Sequence, residues 1–198
     1  MKPSATRVAS MWSSRQGSRT IWRGMHLKLP PGAKGVAKRL RAAEKKMSDL
    51  FYYSDDTYQE FIQATPKAKK LHDKIEVYRE SILKAVISSF KKGHVGIYWS
   101  RRKGIAEDFA VSGPRYRPGE GRPDFRPDST TETYALLEGS DPGVGAEPSG
   151  LFSDESEVTI PEGTPIKLKD IYFWGSDLGM ALEEAKIGTG LSSMTVKA

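Results

Sequence analysis

The stretch Ser153-Asp154-Glu155-Ser156-Glu157-Val158-Thr159-Ile160-Pro161-Glu162-Gly163-Thr164-Pro165-Ile166-Lys167-Leu168-Lys169 sets two carboxylates two residues apart and runs straight into a β-branched segment. Val158-Thr159-Ile160 has strand propensity, Pro161 to Thr164 supplies a turn, and Ile166, Leu168 and Ile171 open a second strand. In an extended chain, residues i and i+2 point to one face, so Glu155 and Glu157 stand side by side at the mouth of a sheet. Two like charges so placed are costly unless a cation, a hydroxyl or a substrate engages them. The pair suits chemistry at a cationic sugar centre. One carboxylate stabilises an oxocarbenium-like transition state while the other orients or deprotonates the acceptor. A solvated strand that begins with acidic residues is the structural alternative.

The chain has 198 residues, enough for one domain with a proper core. At 37% hydrophobic and 28% charged it reads as a globular protein of polar cast, and 19 glycines and 12 prolines predict many turns and long loops. No cysteine is present, which excludes disulfides, thiolate metal sites and a cysteine nucleophile. His26, His72 and His94 are scattered without ligand spacing, so no metal is expected. The formal net charge of +6 is compatible with an acidic or nucleic-acid partner. No apolar run reaches a membrane span, and Met1 to Arg7 lacks a signal-peptide core. The expectation is therefore a cytoplasmic protein with no membrane partner, acting as a monomer.

Residues 1–18 read as a flexible lead-in carrying a short helix around Val8–Trp12. Thr20 to Leu29 predicts a strand closed by Pro30 and Pro31, with Arg23 inside it beside Gly24, where another backbone or a ligand can come close. A mid-strand arginine reaches either an anion or a structural carboxylate. Residues 36–91 are helical by spacing, with Val36, Leu40, Ala43, Met47, Leu50 and Phe51 on one face, then a short helix from Thr57 to Gln63. A long helix follows, capped by Thr65 with Pro66 in its first turn and buried along Leu71, Ile75, Tyr78, Ile82, Val86 and Phe90. Gly93 to Ser100 predicts a strand and Arg101 to Ala110 a helix, where Ser100 serves as an N-cap or as a partner for an anion or a carboxylate. Residues 112–129 form a long Pro/Gly/Arg loop with two aromatics. Thr130 to Leu137 predicts another strand, the Gly139–Phe152 loop leads to Glu155, and residues 176–198 form a tail with a short helix at Leu178–Ala185 and a frayed end.

Four features then stand in order: Ile21-Trp22-Arg23-Gly24; Tyr98-Trp99-Ser100 before Ala106-Glu107-Asp108-Phe109-Ala110; a central strand between long loops; and Glu155-Ser156-Glu157 opening a strand that ends Ile160-Pro161-Glu162-Gly163-Thr164. This order resembles the Arg–Ser–Glu class of mono-ADP-ribosyltransferases, the cholera-toxin-like, arginine-specific branch, and within it the small bacteriophage enzymes. The resemblance covers residues 19–175, with the helical part 36–91 carrying no motif of the class. Its most specific element is Glu155-x-Glu157. One departure is that Arg101-Arg102 follow Ser100 where the class carries further hydroxyls; Ser129-Thr130-Thr131 offers hydroxyls but has no helix after it.

The resemblance implies an α+β fold in which two small packed β-sheets enclose an NAD cleft, with a helical insert. It implies that Arg23 holds the NAD pyrophosphate, Ser100 fixes Glu157, and Glu157 binds the nicotinamide ribose and stabilises the charge as the C–N bond breaks. Glu155 would orient or deprotonate an arginine acceptor. Gly24, Trp99 and Phe109 belong to the implied NAD site, Tyr116 and Phe125 are candidates for packing on nicotinamide, and Phe152 would read the target protein. NAD is a substrate here and no metal is implied. The alternatives are an NAD glycohydrolase, a transferase acting on nucleic acid, or a non-catalytic basic module that binds nucleic acid or belongs to a virion. Action in a host cytoplasm would follow from a phage source.

Overall fold

The computed structural model describes residues 19–112, 132–146, 157–187 and 194–198. Within them, strand β1 (Thr20–His26) leads into three helices, α1 (Pro31–Phe51), α2 (Tyr58–Ala64) and α3 (Pro66–Lys92). Then come β2 (Tyr98–Ser100), α4 (Lys103–Ser112), β3 (Thr133–Ser140), β4 (Glu157–Thr159), β5 (Pro165–Gly175), α5 (Asp177–Lys186) and β6 (Thr195–Lys197). The architecture is α+β.

The sheet departs from expectation. The described strands form one sheet of six in the order β4-β2-β1-β3-β5-β6, with antiparallel neighbours throughout, in place of two sheets packed face to face. β1 pairs with β3 along its whole length, from Thr20↔Ser140 to His26↔Tyr134, but it meets β2 at the single pair Trp22↔Ser100. The two halves of the sheet are thus joined by one register pair. Beyond it Arg23 to His26 separate from the chain entering β2, and this seam is where a cleft can open.

Alternation along the strands divides the sheet into two faces. Ile21, Ala135, Leu137, Trp99, Val158, Ile171 and Phe173 are buried together with Leu40, Ile75, Ile82, Leu83, Val86, Leu178 and Leu182 of the helices. α1, α3 and α5 therefore cover one face, packed through Ala33, Ala37, Ala43 and Ala68, whose small side chains let the helices approach closely. The expected stripes hold: Leu40, Ala43 and Met47 are buried on α1, and Ile75, Ile82, Val86 and Phe90 on α3. Thr65 stands at the N-cap of α3 without a side-chain bond, and Pro66 fills the first position, where its missing N–H leaves no donor unsatisfied. The capping box forms one helix earlier, where Thr57 and Glu60 bond reciprocally at the start of α2.

Among the described residues α4 is the one helix on the opposite face. Gly24 is what lets it sit there: a Cβ at that position would collide with the Ala106 carbonyl oxygen. The close approach that the glycine permits is thus made by backbone.

The described residues of 176–198 are not a frayed tail. α5 packs on β5, and after it Met194, Val196 and Ala198 are buried, with β6 pairing Ile166↔Val196. The strand expected over 93–100 is confined to Tyr98–Ser100, and His94 instead bridges to Lys197. β5 is longer than β6, so its second half has a free edge, and α5 covers it with side chains. Glu183 accepts the Phe173 N–H at 2.8 Å, and Lys186 donates to the Ile171 carbonyl at 2.6 Å.

The positive charge is unevenly spread. Residues 31–92 hold 14 Lys and Arg against 8 Asp and Glu, an excess equal to the whole chain's +6. The helical layer is the basic side of the molecule. Among the described residues no helix is long and apolar enough to cross a membrane.

Candidate functional site

Four register pairs share residues and draw one line across five strands: Glu157↔Ser100, Ser100↔Trp22, Trp22↔Glu138 and Glu138↔Asp170. Cross-strand partners project to the same face, so these five side chains form a row on the side where α4 sits. At one end of the row a cavity of about 450 Å³ follows the seam, lined by Trp22, Arg23, Gly24, Met25, His26, Tyr98, Trp99, Ser100, Ala106, Phe109 and Glu157. The strand arginine, the hydroxyl before the helix and the carboxylate that opens β4 are brought into one space.

Ser100 is 3% exposed. Its Oγ accepts the Arg102 N–H at 3.0 Å, turning the chain into α4, which begins at Lys103. This local bond performs the turn-forming role expected of an N-cap. A hydroxyl that accepts one bond still has its own proton to donate, and the side chain opposite Ser100 is Glu157. Arg101, where the motif of the resembled class has another hydroxyl, pairs with Asp141 at 3.5 Å. That ties the start of α4 to the chain after β3.

Arg23 lies between Trp22 and Gly24 and leaves the strand on the other side of the pleat, entering the seam. Its Nη1 donates to the Tyr98 carbonyl. Gly96 makes room for it, at a backbone φ of 100°, since a Cβ there would collide with Arg23 Nη2. Among the described residues no carboxylate pairs with Arg23, and its buried Nε has no hydrogen-bond partner. Burial alone, unrelieved by a counter-charge, pushes the guanidinium below its ordinary pKa. A half-buried guanidinium with no carboxylate beside it among the described residues has the chemistry to take an anion. The structural ion pair that a mid-strand arginine first suggests is not formed.

Trp99 borders the cavity, with most of its ring in the core. It is 2% exposed, stands opposite Val158, and donates its indole N–H to the Gly96 carbonyl at 3.0 Å. Its contribution to the site is to fix the loop that receives Arg23. Phe109, 41% exposed on α4, and Tyr98, 57% exposed on β2, supply aromatic surface along the cavity. Glu155, Tyr116, Phe125 and Phe152 lie outside the described residues. Among the described residues no group of three His, Asp or Glu side chains could hold a metal ion.

Sequence reading missed Trp22, Met25, His26, Tyr98 and Ala106 as cavity residues. The signal for two of them was available, since Trp22 and His26 share the strand parity of Gly24. It also missed the far end of the row. There Tyr172 donates its hydroxyl to Glu138 Oε2 at 3.0 Å, and burial, reinforced by that carboxylate, pushes its pKa up to about 12. Trp22 and Tyr172 stand 6.3 Å apart, centroid to centroid. The Lys103 ammonium lies 5.6 Å from the first ring and 5.1 Å from the second. Lys186 approaches Tyr172 at 4.6 Å while pairing with Asp170 at 3.2 Å.

Comparison of the chain with protein-family models, with curated proteins and with solved structures finds no significant match in any of the three.

Proposed function

We propose that this chain is an ADP-ribosyltransferase that consumes NAD in the cytoplasm and moves ADP-ribose to an arginine side chain of a target protein. The observation that carries the reading is the meeting of Arg23, Ser100 and Glu157 in one cavity, with the Arg23 guanidinium half-buried and, among the described residues, without a carboxylate partner. A half-buried cation with no carboxylate beside it suits a diphosphate. A carboxylate opposite a hydroxyl suits a ribose whose anomeric carbon becomes cationic.

Arg23 holds the diphosphate through the exposed end of its guanidinium fork. Glu157, steadied by the Ser100 hydroxyl, faces the nicotinamide ribose. The bond between the ribose anomeric carbon and the nicotinamide nitrogen breaks, and nicotinamide leaves with the electron pair. Glu157 stabilises the oxocarbenium character that develops. A guanidinium nitrogen of the acceptor then bonds to the anomeric carbon and loses a proton, which Glu155, by its spacing in sequence, is assigned to take. Tyr98 and Phe109 offer aromatic faces to the bases of the dinucleotide.

The test is release of nicotinamide from NAD by the purified chain and by Glu157→Ala, with and without a cell lysate as acceptor. Release that falls by about 100-fold or more in Glu157→Ala, with label on lysate proteins, supports the transferase. Release without protein label redirects the reading to a glycohydrolase or a nucleic-acid acceptor. Absence of both release and NAD binding overturns it.

A further inference from the structure

The proposed reading uses one end of the row, Glu157 and Ser100, with Trp22 at the cavity wall; the other end, Glu138 and Asp170 with Tyr172 beside them, is unassigned, and Trp22 borders both. That end is built for a cation. Two aromatic rings stand side by side, and both carry the Lys103 ammonium within 6 Å, at 5.6 and 5.1 Å. Glu138 lies next to them in register with Trp22, and Tyr172 engages only one of its carboxylate oxygens.

Lys103 is a weakly held occupant. It is 51% exposed at the start of α4, and its carboxylate partner, Glu107, is 3.7 Å away and 45% exposed. An incoming lysine or arginine meets both rings and also the Glu138 carboxylate, with which Lys103 forms no ion pair among the described residues. An incoming basic side chain can therefore displace Lys103 with little lost. Lys186, by contrast, is fixed by Asp170, Glu183 and the Ile171 carbonyl and stays in place.

We infer that the Trp22–Tyr172–Glu138 cluster is a binding site for a second basic residue of the acceptor protein, for which Lys103 is the internal stand-in. The inference rests on the proposed transferase reading and names the substrate class of that same site. Neighbouring strands are about 4.8 Å apart, so Trp22 and Glu138 lie about 10 and 14 Å from Glu157 along the row. An extended peptide covers about 3.4 Å per residue. A basic side chain about three residues from the modified arginine then falls on the cluster when that arginine reaches Glu157. The charge distribution agrees. Outside the helical layer positive and negative charges balance, and of the two carboxylates at this end of the row Asp170 is paired with Lys186, so Glu138 is the group that draws the basic side chain.

The experiment uses peptides with a single arginine in an alanine and glycine background, alone or with one lysine two, three or four residues to either side. Wild type is expected to use the best lysine-flanked peptide about tenfold better in kcat/KM than the unflanked one. Glu138→Gln and Tyr172→Leu bring that ratio close to one, and Lys103→Ala raises it. A second measurement needs no NAD. Calorimetric titration of the flanked peptide should give a Kd that rises at least fivefold in Glu138→Gln and falls in Lys103→Ala. Equal use of all peptides, a ratio the variants do not move, or a Kd indifferent to the flank overturns the inference. Loss of NAD cleavage in every protein, with flank-dependent peptide binding intact, would instead overturn the transferase reading and leave a basic-peptide site standing.

Discussion

Ser100 on β2 and Glu157 on β4 are direct register partners, and Ser100 at the same time accepts the backbone N–H of Arg102. One hydroxyl thus serves the turn into α4 and faces the carboxylate. Ser100→Ala is expected to leave the Arg102 N–H without its acceptor, costing about 1–3 kcal/mol in urea unfolding. It should also slow NAD cleavage by about 100-fold through misplacement of Glu157. Ser100→Thr keeps the hydroxyl and should retain most of both. A Ser100→Ala protein with full activity would show that the pairing has no part in the chemistry.

Arg23 separates stability from activity. A half-buried cation with no carboxylate beside it among the described residues costs the folded state, so Arg23→Met is expected to raise stability by roughly 1 kcal/mol while abolishing binding of a diphosphate. Arg23→Lys keeps the charge but loses the fork, and should weaken NAD binding about tenfold or more. Denaturant melts and equilibrium binding of NAD, run on the same preparations, check the two signs. A destabilised Arg23→Met would mean that the guanidinium has a partner that compensates its burial.

Gly24→Ala tests how α4 is seated. The added methyl meets the Ala106 carbonyl, which is backbone and cannot swing aside, so α4 must lift from β1. The expected cost is about 1–3 kcal/mol, with a changed cavity along the seam. Gly104→Ala on the same helix has open space around it and serves as the control, with little change in melting temperature.

Alkaline pH should unfold the chain early. Tyr134 and Tyr172 both have pKa values raised to about 12, by burial first and then by the carboxylates of Glu132 and Glu138 that accept their hydroxyl protons. A raised folded-state pKa means that the contribution is fully present below the unfolded value of about 10 and is lost as pH rises through about 12. Thermal melts from pH 9 to 12 should fall across that window. The fall should be smaller in Tyr134→Phe and Tyr172→Phe, which have no proton to lose.

Much of this organisation is legible in the sequence, for reasons that are local. The stripes of α1 and α3 repeat at helical spacing, Pro66 marks a helix start, and Val158 between Glu157 and Thr159 announces a short strand. Arg23-Gly24, Ser100 and Glu157 were identifiable as candidates, and the structure brings them to one cavity. What was not legible depends on pairing over long separations. That β1 meets β2 at one pair, and so joins two expected sheets into one, is set by where the chain splays after Trp22 and not by residue type. Thr195-Val196-Lys197 is too short and polar to stand out, yet it completes the sheet beside Ile166. The Trp22–Tyr172 pair joins residues 150 positions apart, and only the register of β1, β3 and β5 puts Glu138 next to both.

β2 and β4 are three residues each, and in both the middle residue is core while an end residue belongs to the cavity. Trp99 and Val158 face the helices, and Ser100 and Glu157 face the cavity. Sliding either strand by one residue would exchange the two sets, drive a carboxylate into the apolar interior and turn a tryptophan out to water. Such a chain would not persist as a folded but idle protein. Exposed apolar surface, which chaperones and proteases act on, would therefore accompany a misassembled cavity, and the two defects would be removed together.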